Sequence, residues 1–418
     1  MKSVKKSRHV LGAIAVISVA AIALAGCSRG DAGGSGESAA SSPGISDDTL
    51  TLGITTPLSG STAGQGTCSV AGITAYFGAK NADGGIEFGD GKTRKVEINA
   101  LDDAYDPQKA KANYDQLKDS VFAMTAGIGT PTNRAYREAA ITDEVPQVLV
   151  MTGDPIFSDT GESPWQLGFV PTYLNEGEAF GSLLADSGDD HTVAVLYQND
   201  DYGKGYLEGF KNGIEGADNV EIVKETTYES TDTSVDAQMT ELAASGADVF
   251  LAAVPINPLM ISAMQKAQQL GWKPSWLLPS NTSSPSVILE PGGADAYPGV
   301  YSVAFAKAVG SPDYAGDEDV TTFLSDLKEY GDYADTPPFP HCAWSYMMGA
   351  TLDAAFQKMT EPTRDSFMEA LRSVEAFSAP LMLPDTEVDP SVDGQPAVST
   401  VVVQKYNGSG YDTVTEWE

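Results

Sequence analysis

The side chains able to do covalent or acid–base chemistry are few, and their spacing matches no catalytic motif. Histidine occurs at His9, His191 and His341, and neither of the last two has a recognisable nucleophile partner in the sequence. There is no G-x-S-x-G elbow and no H-E-x-x-H pair. Gly91-Lys92-Thr93 ends like a phosphate loop, but Ile86 stands where the leading glycine belongs, and a hairpin turn accounts for GDGKT better. The acidic runs at 313–319 and 385–393 lack the ligand spacing of a calcium loop and read as solvated surface. Three cysteines are too few for a zinc ribbon or an iron–sulfur site. No enzyme, metal or cofactor is therefore expected.

What remains is binding chemistry. Short stretches rich in hydroxyls, glycine and proline recur: 57–66, 127–132, 151–155, 199–203, 254–256 and 279–282. Each follows an apolar run of strand type. In a doubly wound sheet such loops lie at the carboxyl ends of the strands, where ligands bind.

The elements that must position them alternate regularly. Segments 49–55 and 94–101 read as strands, with helices at 69–81 and from Asp106-Pro107 to Leu117. The strands VFAMTAG and QVLVM follow, with a helix from Thr132 between them. A second series starts at TVAVLYQ (192–198) and runs through NVEIVKETTY, ADVFLAA, SWLLP and VYSVAFA. Its helix around Val235, Met239, Leu242 and Ala243 has one apolar face at helical spacing. This is an α/β pattern of parallel sheets, and the break near 171–175 divides it into two doubly wound lobes.

The start of the chain reads as an export signal. Lys2, Lys5, Lys6 and Arg8 precede an uncharged run at 10–25, which as helix covers about 24 Å, short of a ~30 Å hydrocarbon core. Leu24-Ala25-Gly26-Cys27 matches the bacterial lipobox, so 1–26 is expected to be removed and Cys27 to carry the lipid, with palmitate among its acyl chains. Residues 27–47, rich in Gly, Ser and Ala, form a tether. Removing the leader takes four basic residues and no acids, so the formal charge moves from -33 to -37. That field repels phosphate backbones and excludes nucleic acid as a partner.

PLSG with GQG after it, Gly84-Gly85-Ile86, Asp102 to Pro107 (DDAYDP), Gly129 to Asn133 (GTPTN), VPQV and YQNDDYGKG stand in this order behind the lipobox. Together they resemble the solute-binding lipoproteins of branched-chain amino-acid ABC transporters. The resemblance implies the type I periplasmic-binding-protein fold: two Rossmann-like lobes joined by a three-segment hinge, with 48–172 and 305–384 in lobe 1 and 173–304 and 385–418 in lobe 2. It implies that Thr130, read as the cap before Pro131, holds the ligand carboxylate at a helix N-terminus. Met151, Thr152 and Gly153 fall where the family offers a carbonyl, an N–H and a hydroxyl, and Tyr202 falls on a cleft tyrosine of the opposite lobe.

Departures stand beside these matches. Gln65 and Pro255 replace cleft tyrosines, and His341 lies near a cleft phenylalanine. Ser280 replaces the glutamate that neutralises the ligand ammonium, which weakens the case for an α-amino acid unless Asp154, Asp200 or Asp201 substitutes. Cys68 and Cys342 fall in the same lobe, either as a disulfide or as two buried thiols. The implied protein is a lipid-anchored, extracytoplasmic monomer that captures a small polar solute, an amino acid or related carboxylate or amide, for an ABC permease. The alternative is a sensory lipoprotein signalling to a membrane partner.

Overall fold

Apolar strands alternating with amphipathic helices build two sheets in the computed structural model, which describes residues 41–159, 161–333 and 339–417. The leader, Cys27 and the tether up to residue 40 lie outside the described residues; the end of the expected tether is instead bound to the first lobe, with Ser42 N bonded to Pro362 O at 2.9 Å and Ile45 packed on its core. The first sheet has the order β2-β3-β1-β4-β5-β6. Its strands are β1 (Thr49–Thr56), β2 (Ile86–Glu87), β3 (Thr93–Asp102), β4 (Ala123–Thr125), β5 (Gln147–Val150) and β6 (Gln166–Gly168). All neighbours pair in parallel except β2 with β3, whose hairpin turn holds Gly91 at φ 79° and accounts for the GDGKT string.

The second sheet has the order β13-β12-β11-β10-β9-β7-β8. It contains β7 (His191–Gln198), β8 (Val220–Tyr228), β9 (Val249–Ala253), β10 (Ser275–Leu278), β11 (Val300–Ala304), β12 (Val402–Tyr406) and β13 (Tyr411–Thr413). The last two strands add to it antiparallel.

Helices α1 (Ala63–Ala82), α2 (Pro107–Leu117) and α3 (Thr130–Thr142) connect the first sheet. The second series contributes α4 (Tyr173–Ser187), α5 (Asp201–Gly213), α6 (Asp236–Ala243), α7 (Asn257–Leu270) and the single turn α8 (Glu290–Gly292). The chain then returns through α9 (Glu318–Tyr330), α10 (Pro340–Phe356) and α11 (Arg364–Arg372) to complete the first core. Among the described residues no helix is long and apolar enough to cross a membrane, and no group of three His, Cys, Asp or Glu is placed to hold a metal.

The chain crosses between lobes three times. Val170 belongs to the first core and Phe180 to the second; Val303 belongs to the second and Phe305 to the first. The third crossing departs from the boundary expected at 384. Val388, Ala397 and Val398 remain in the first core, and the N–H groups of Ala397 and Val398 bond to Gly168 O and Phe169 O at 2.9 Å. Residues 385–398 thus extend the edge of the first lobe beside β6, and the chain passes to the second lobe only after Val398.

Helices α1 and α10 meet backbone to backbone. A Cβ on Gly72 would stand 2.0 Å from Cys342 O and 2.2 Å from Ser345 Oγ. Both helices are buried at this contact, so neither can move away without opening the core. Gly72→Ala should lower stability by about 3 kcal/mol, the upper range of core overpacking, as measured by urea unfolding; an unchanged midpoint would contradict the contact.

Candidate functional site

The loops after the strands and the first turns of five helices enclose a cavity between the lobes. Its space between atoms, counted out to its mouth, is about 520 Å³. Seven of the residues singled out in the sequence line it: Gln65, Thr130 and Met151 with His341 from the first lobe, and Tyr202, Pro255 and Ser280 from the second. Thr152 and Gly153 lie behind this wall. Thr152 Oγ1 bonds to Thr130 Oγ1 at 2.8 Å, and Gly153 O accepts the N–H of Tyr173 at 2.9 Å.

Thr130 is not the cap of α3 but its first helical residue. The cap is Gly129, whose φ of 101° an L side chain rarely adopts, and a Cβ there would sit 2.5 Å from the Tyr105 ring. The Thr130 hydroxyl is thereby released from capping. It forms a triangle with Thr152 Oγ1 and Tyr173 Oη, with sides of 2.8, 3.2 and 3.1 Å. The triangle stands at the positive end of α3, whose first N–H groups have no acceptor within the helix. The Thr130 and Tyr173 hydroxyls, the two of the three that reach the cavity, stand with the N-terminus of α3 where a carboxylate can be received.

The opposite wall is acidic, through a residue that the strand-end loops do not contain. Glu176, in the first turn of α4, is 1% exposed. Its carboxylate accepts Tyr206 Oη at 2.5 Å, Ser280 N at 3.1 Å and Ser280 Oγ at 2.7 Å. Burial pushes this carboxyl up to about 7, against the pull of those three donors. Helices α4 and α5 bring it there by packing through glycines: Cβ atoms on Gly177 and Gly209 would stand 2.4 Å from Tyr206 O and 2.2 Å from Leu174 O. Tyr173, Tyr202 and Tyr206 pack around it with ring centroids 4.7 to 5.1 Å apart.

The three aspartates considered as substitutes for an acid at 280 are engaged elsewhere. Asp200 caps α5 and accepts Gln198 Nε2 at 2.6 Å. Asp154 takes both Nε and Nη2 of Arg134, and Arg134 Nη1 reaches Asp201 across the cleft at 3.2 Å. Gln65 likewise crosses the cleft, donating to Pro255 O at 3.0 Å. These two bridges hold the lobes in a closed arrangement.

His341 and Thr62 supply groups still open to a ligand. Both line the cavity, and among the described residues neither His341 Nδ1 nor Thr62 Oγ1 has a hydrogen-bond partner. Burial pulls the imidazole down to about 3, so His341 is neutral at ordinary pH. Behind it, Cys68 and Cys342 are joined in a disulfide between α1 and α10.

Two doubly wound lobes closed over a cavity with a few placed polar groups define a binding protein of the type I periplasmic class. The chain belongs to the periplasmic binding protein family, whose model matches residues 49–410. A Leu/Ile/Val-binding protein homolog 3 from Brucella melitensis is 26% identical over 213 residues, 48% of this chain and 53% of that protein. The leucine-, isoleucine-, valine-, threonine- and alanine-binding protein of Pseudomonas aeruginosa is 22% identical over 249 residues, 59% of this chain and 64% of that one. The match thus spans only about half to under two thirds of these relatives.

Solved structures agree on the fold over most of the chain. The fatty acid ABC transporter substrate-binding protein from Thermomonospora curvata superposes with a TM-score of 0.75 at 22% identity, covering 90% of this chain and 93% of that one. A leucine binding protein from Thermotoga maritima gives 0.69 at 18% identity, covering 88% and 98%.

Proposed function

We propose that this protein captures an α-amino acid or a close relative between its lobes and delivers it to an ABC permease, held at the outer face of the cell membrane by a lipid on Cys27. The observation that carries the reading is the pairing of unlike walls in one cavity. The hydroxyl triangle and α3 N-terminus suit a carboxylate, and Glu176 suits an ammonium. Glu176 restores the acid whose absence at Ser280 argues against an amine. The names of the Brucella and Pseudomonas relatives support an amino acid, and the lipobox supports the anchor.

Capture works by population shift. A solute that touches Thr130 from one lobe and Glu176 from the other has both contacts only when the lobes are closed, so binding favours closure. Arg134–Asp201 and Gln65–Pro255 O add to closure without touching the solute charges. A permease that reads the closed shape then distinguishes loaded protein from empty.

The test is a thermal-shift screen of α-amino acids, amides and simple carboxylic acids, followed by titration of the best solute into Thr130→Val. Amino acids should raise the melting temperature, and the variant should bind at least tenfold more weakly, the loss of one hydrogen bond to a charged group. Stabilisation by simple acids alone, or unchanged binding by Thr130→Val, would overturn the assignment.

A further inference from the structure

A second cavity, of about 540 Å³ of space between atoms counted out to its mouth, lies against the hinge. Val303, Phe305 and Ala306 of the second crossing line it, with Ala343 of α10 and Pro285 beyond β10. It shares two walls with the solute cavity, Ser280 and Trp344. Trp344 is the partition: its ring centroid is 4.9 Å from that of His341 on the solute side and 5.2 Å from that of Phe305 on the hinge side.

The polar groups of this chamber are mostly turned toward one another. Tyr411 Oη donates to Ser283 O at 2.5 Å, and Ser283 Oγ donates to Ser280 O at 3.0 Å. Lys307 Nζ is held by Asp317 at 2.9 Å and by Asp319 at 3.2 Å. Ser284 and Gln404 give the chamber two polar edges. The remaining lining is apolar and suits an uncharged occupant, since a charge would enter without a partner.

We propose that this hinge chamber is the side-chain subsite of the solute cavity, so that preferred solutes are α-amino acids with long unbranched aliphatic or aromatic side chains. The inference rests on the amino-acid reading above. Its geometric basis is Ser280: the residue that anchors the Glu176 carboxylate, where the ammonium docks, is itself a wall of the chamber. The substituent on the carbon bearing the ammonium therefore begins at the shared wall. For a long side chain to pass from one space to the other, Trp344 must turn aside from its place between His341 and Phe305.

The experiment is calorimetric titration of the purified protein with alanine, norvaline, norleucine and 2-aminooctanoate, beside hexanoate and octanoate, repeated on Ser284→Trp. Ser284 is partly exposed and lines only the chamber, so the new indole fills that space. Affinity should rise about fourfold per methylene along the amino-acid series. Ser284→Trp should erase that rise while leaving alanine within about twofold of its wild-type affinity, the two cavities being separate walls apart from Ser280 and Trp344. Alanine binding with no gain beyond norvaline, or a variant that weakens alanine as much as 2-aminooctanoate, would overturn the chamber assignment. Length-dependent binding of the simple acids with no binding of the amino acids would instead overturn the role of Glu176 and leave the chamber standing.

Discussion

Glu176→Gln should abolish high-affinity capture of any amine-bearing solute, with a loss of about 10²- to 10³-fold by calorimetric titration. The size follows from leaving a buried ammonium without its counter-charge, which costs about 3 to 5 kcal/mol. Glutamine keeps the shape of the site. Its carbonyl can still accept from Tyr206 Oη, and the Ser280 hydroxyl can rotate to accept from its amide, so the variant should fold. Carboxylic acids without an amine should bind the variant at least as well as wild type. Equal binding of an α-amino acid by both proteins would remove the charge argument.

The same carboxyl makes both binding and stability depend on pH, in opposite directions. In the folded, solute-free protein burial holds Glu176 at about 7, above its ordinary 4.5. The phenols of Tyr206 and Tyr202 beside it are pushed well above their ordinary range and stay neutral, so neither adds a charge next to Glu176 in this window. An ammonium needs the ionised form, so affinity should fall below pH 7, approaching tenfold per unit.

Stability of the solute-free protein runs the other way. Between 4.5 and 7 the folded state binds more protons than the unfolded state, and the stability contributed by the neutral carboxyl is lost as pH rises, about 3 kcal/mol across the window. Asp103, raised to about 6 by burial near Thr55, acts with the same sign at lower pH and is untouched by the substitution. Melting temperatures from pH 5 to 8 should therefore decline in wild type and flatten above pH 6 in Glu176→Gln.

The fold was legible where side-chain chemistry is local. Asp106-Pro107 marks the start of α2 because the aspartate accepts Gln108 N at 2.8 Å and the proline needs no acceptor. Strand cores such as Val193 to Leu196 are apolar on both faces and fully buried, as parallel strands require. The start of α3 was misread by one residue because threonine is the commoner cap, and only the backbone at Gly129 reveals the true one. The third crossing left no local trace. Residues 385–398 have neither period, and their place depends on bonds to β6, far away in sequence.

The site was legible in its loops and hidden in its helices. Gln65, Thr130, Met151, Tyr202, Pro255, Ser280 and His341 follow strands or open helices, where ligand contacts are sought. Tyr173 and Glu176 lie in the first turn of α4 and Tyr206 further along α5, none of them in a loop after a strand, and an acid in a first turn has a sufficient local role in the helix dipole. The available signal was the glycine spacing, Gly177 with Gly181 and Gly205, Gly209 with Gly213. It foretells a close helix pair and hence which side chains that pair buries.

Removal of the Cys68–Cys342 disulfide should cost far more in stability than in affinity. The bond closes a loop of 274 residues. In the chain-entropy account the penalty lifted from the unfolded chain grows only with the logarithm of loop length, so even this span gives about 5 kcal/mol. Native contacts between the two helices survive without it: Gly72 against Cys342 O, and the rings of Tyr76 and Tyr346 edge to face at 5.1 Å. Those contacts keep Gln65, one turn before Cys68, and His341, next to Cys342, in their places on the cavity wall. Cys68→Ala/Cys342→Ala should thus unfold at markedly lower urea while binding its solute within about threefold of wild type. The wild-type protein under reductant should match the double variant, because both act on the unfolded ensemble rather than on the site. An unchanged urea midpoint would show that the cross-link adds nothing to the α1–α10 packing; a large loss of affinity at unchanged midpoint would make the bond a part of the binding site instead.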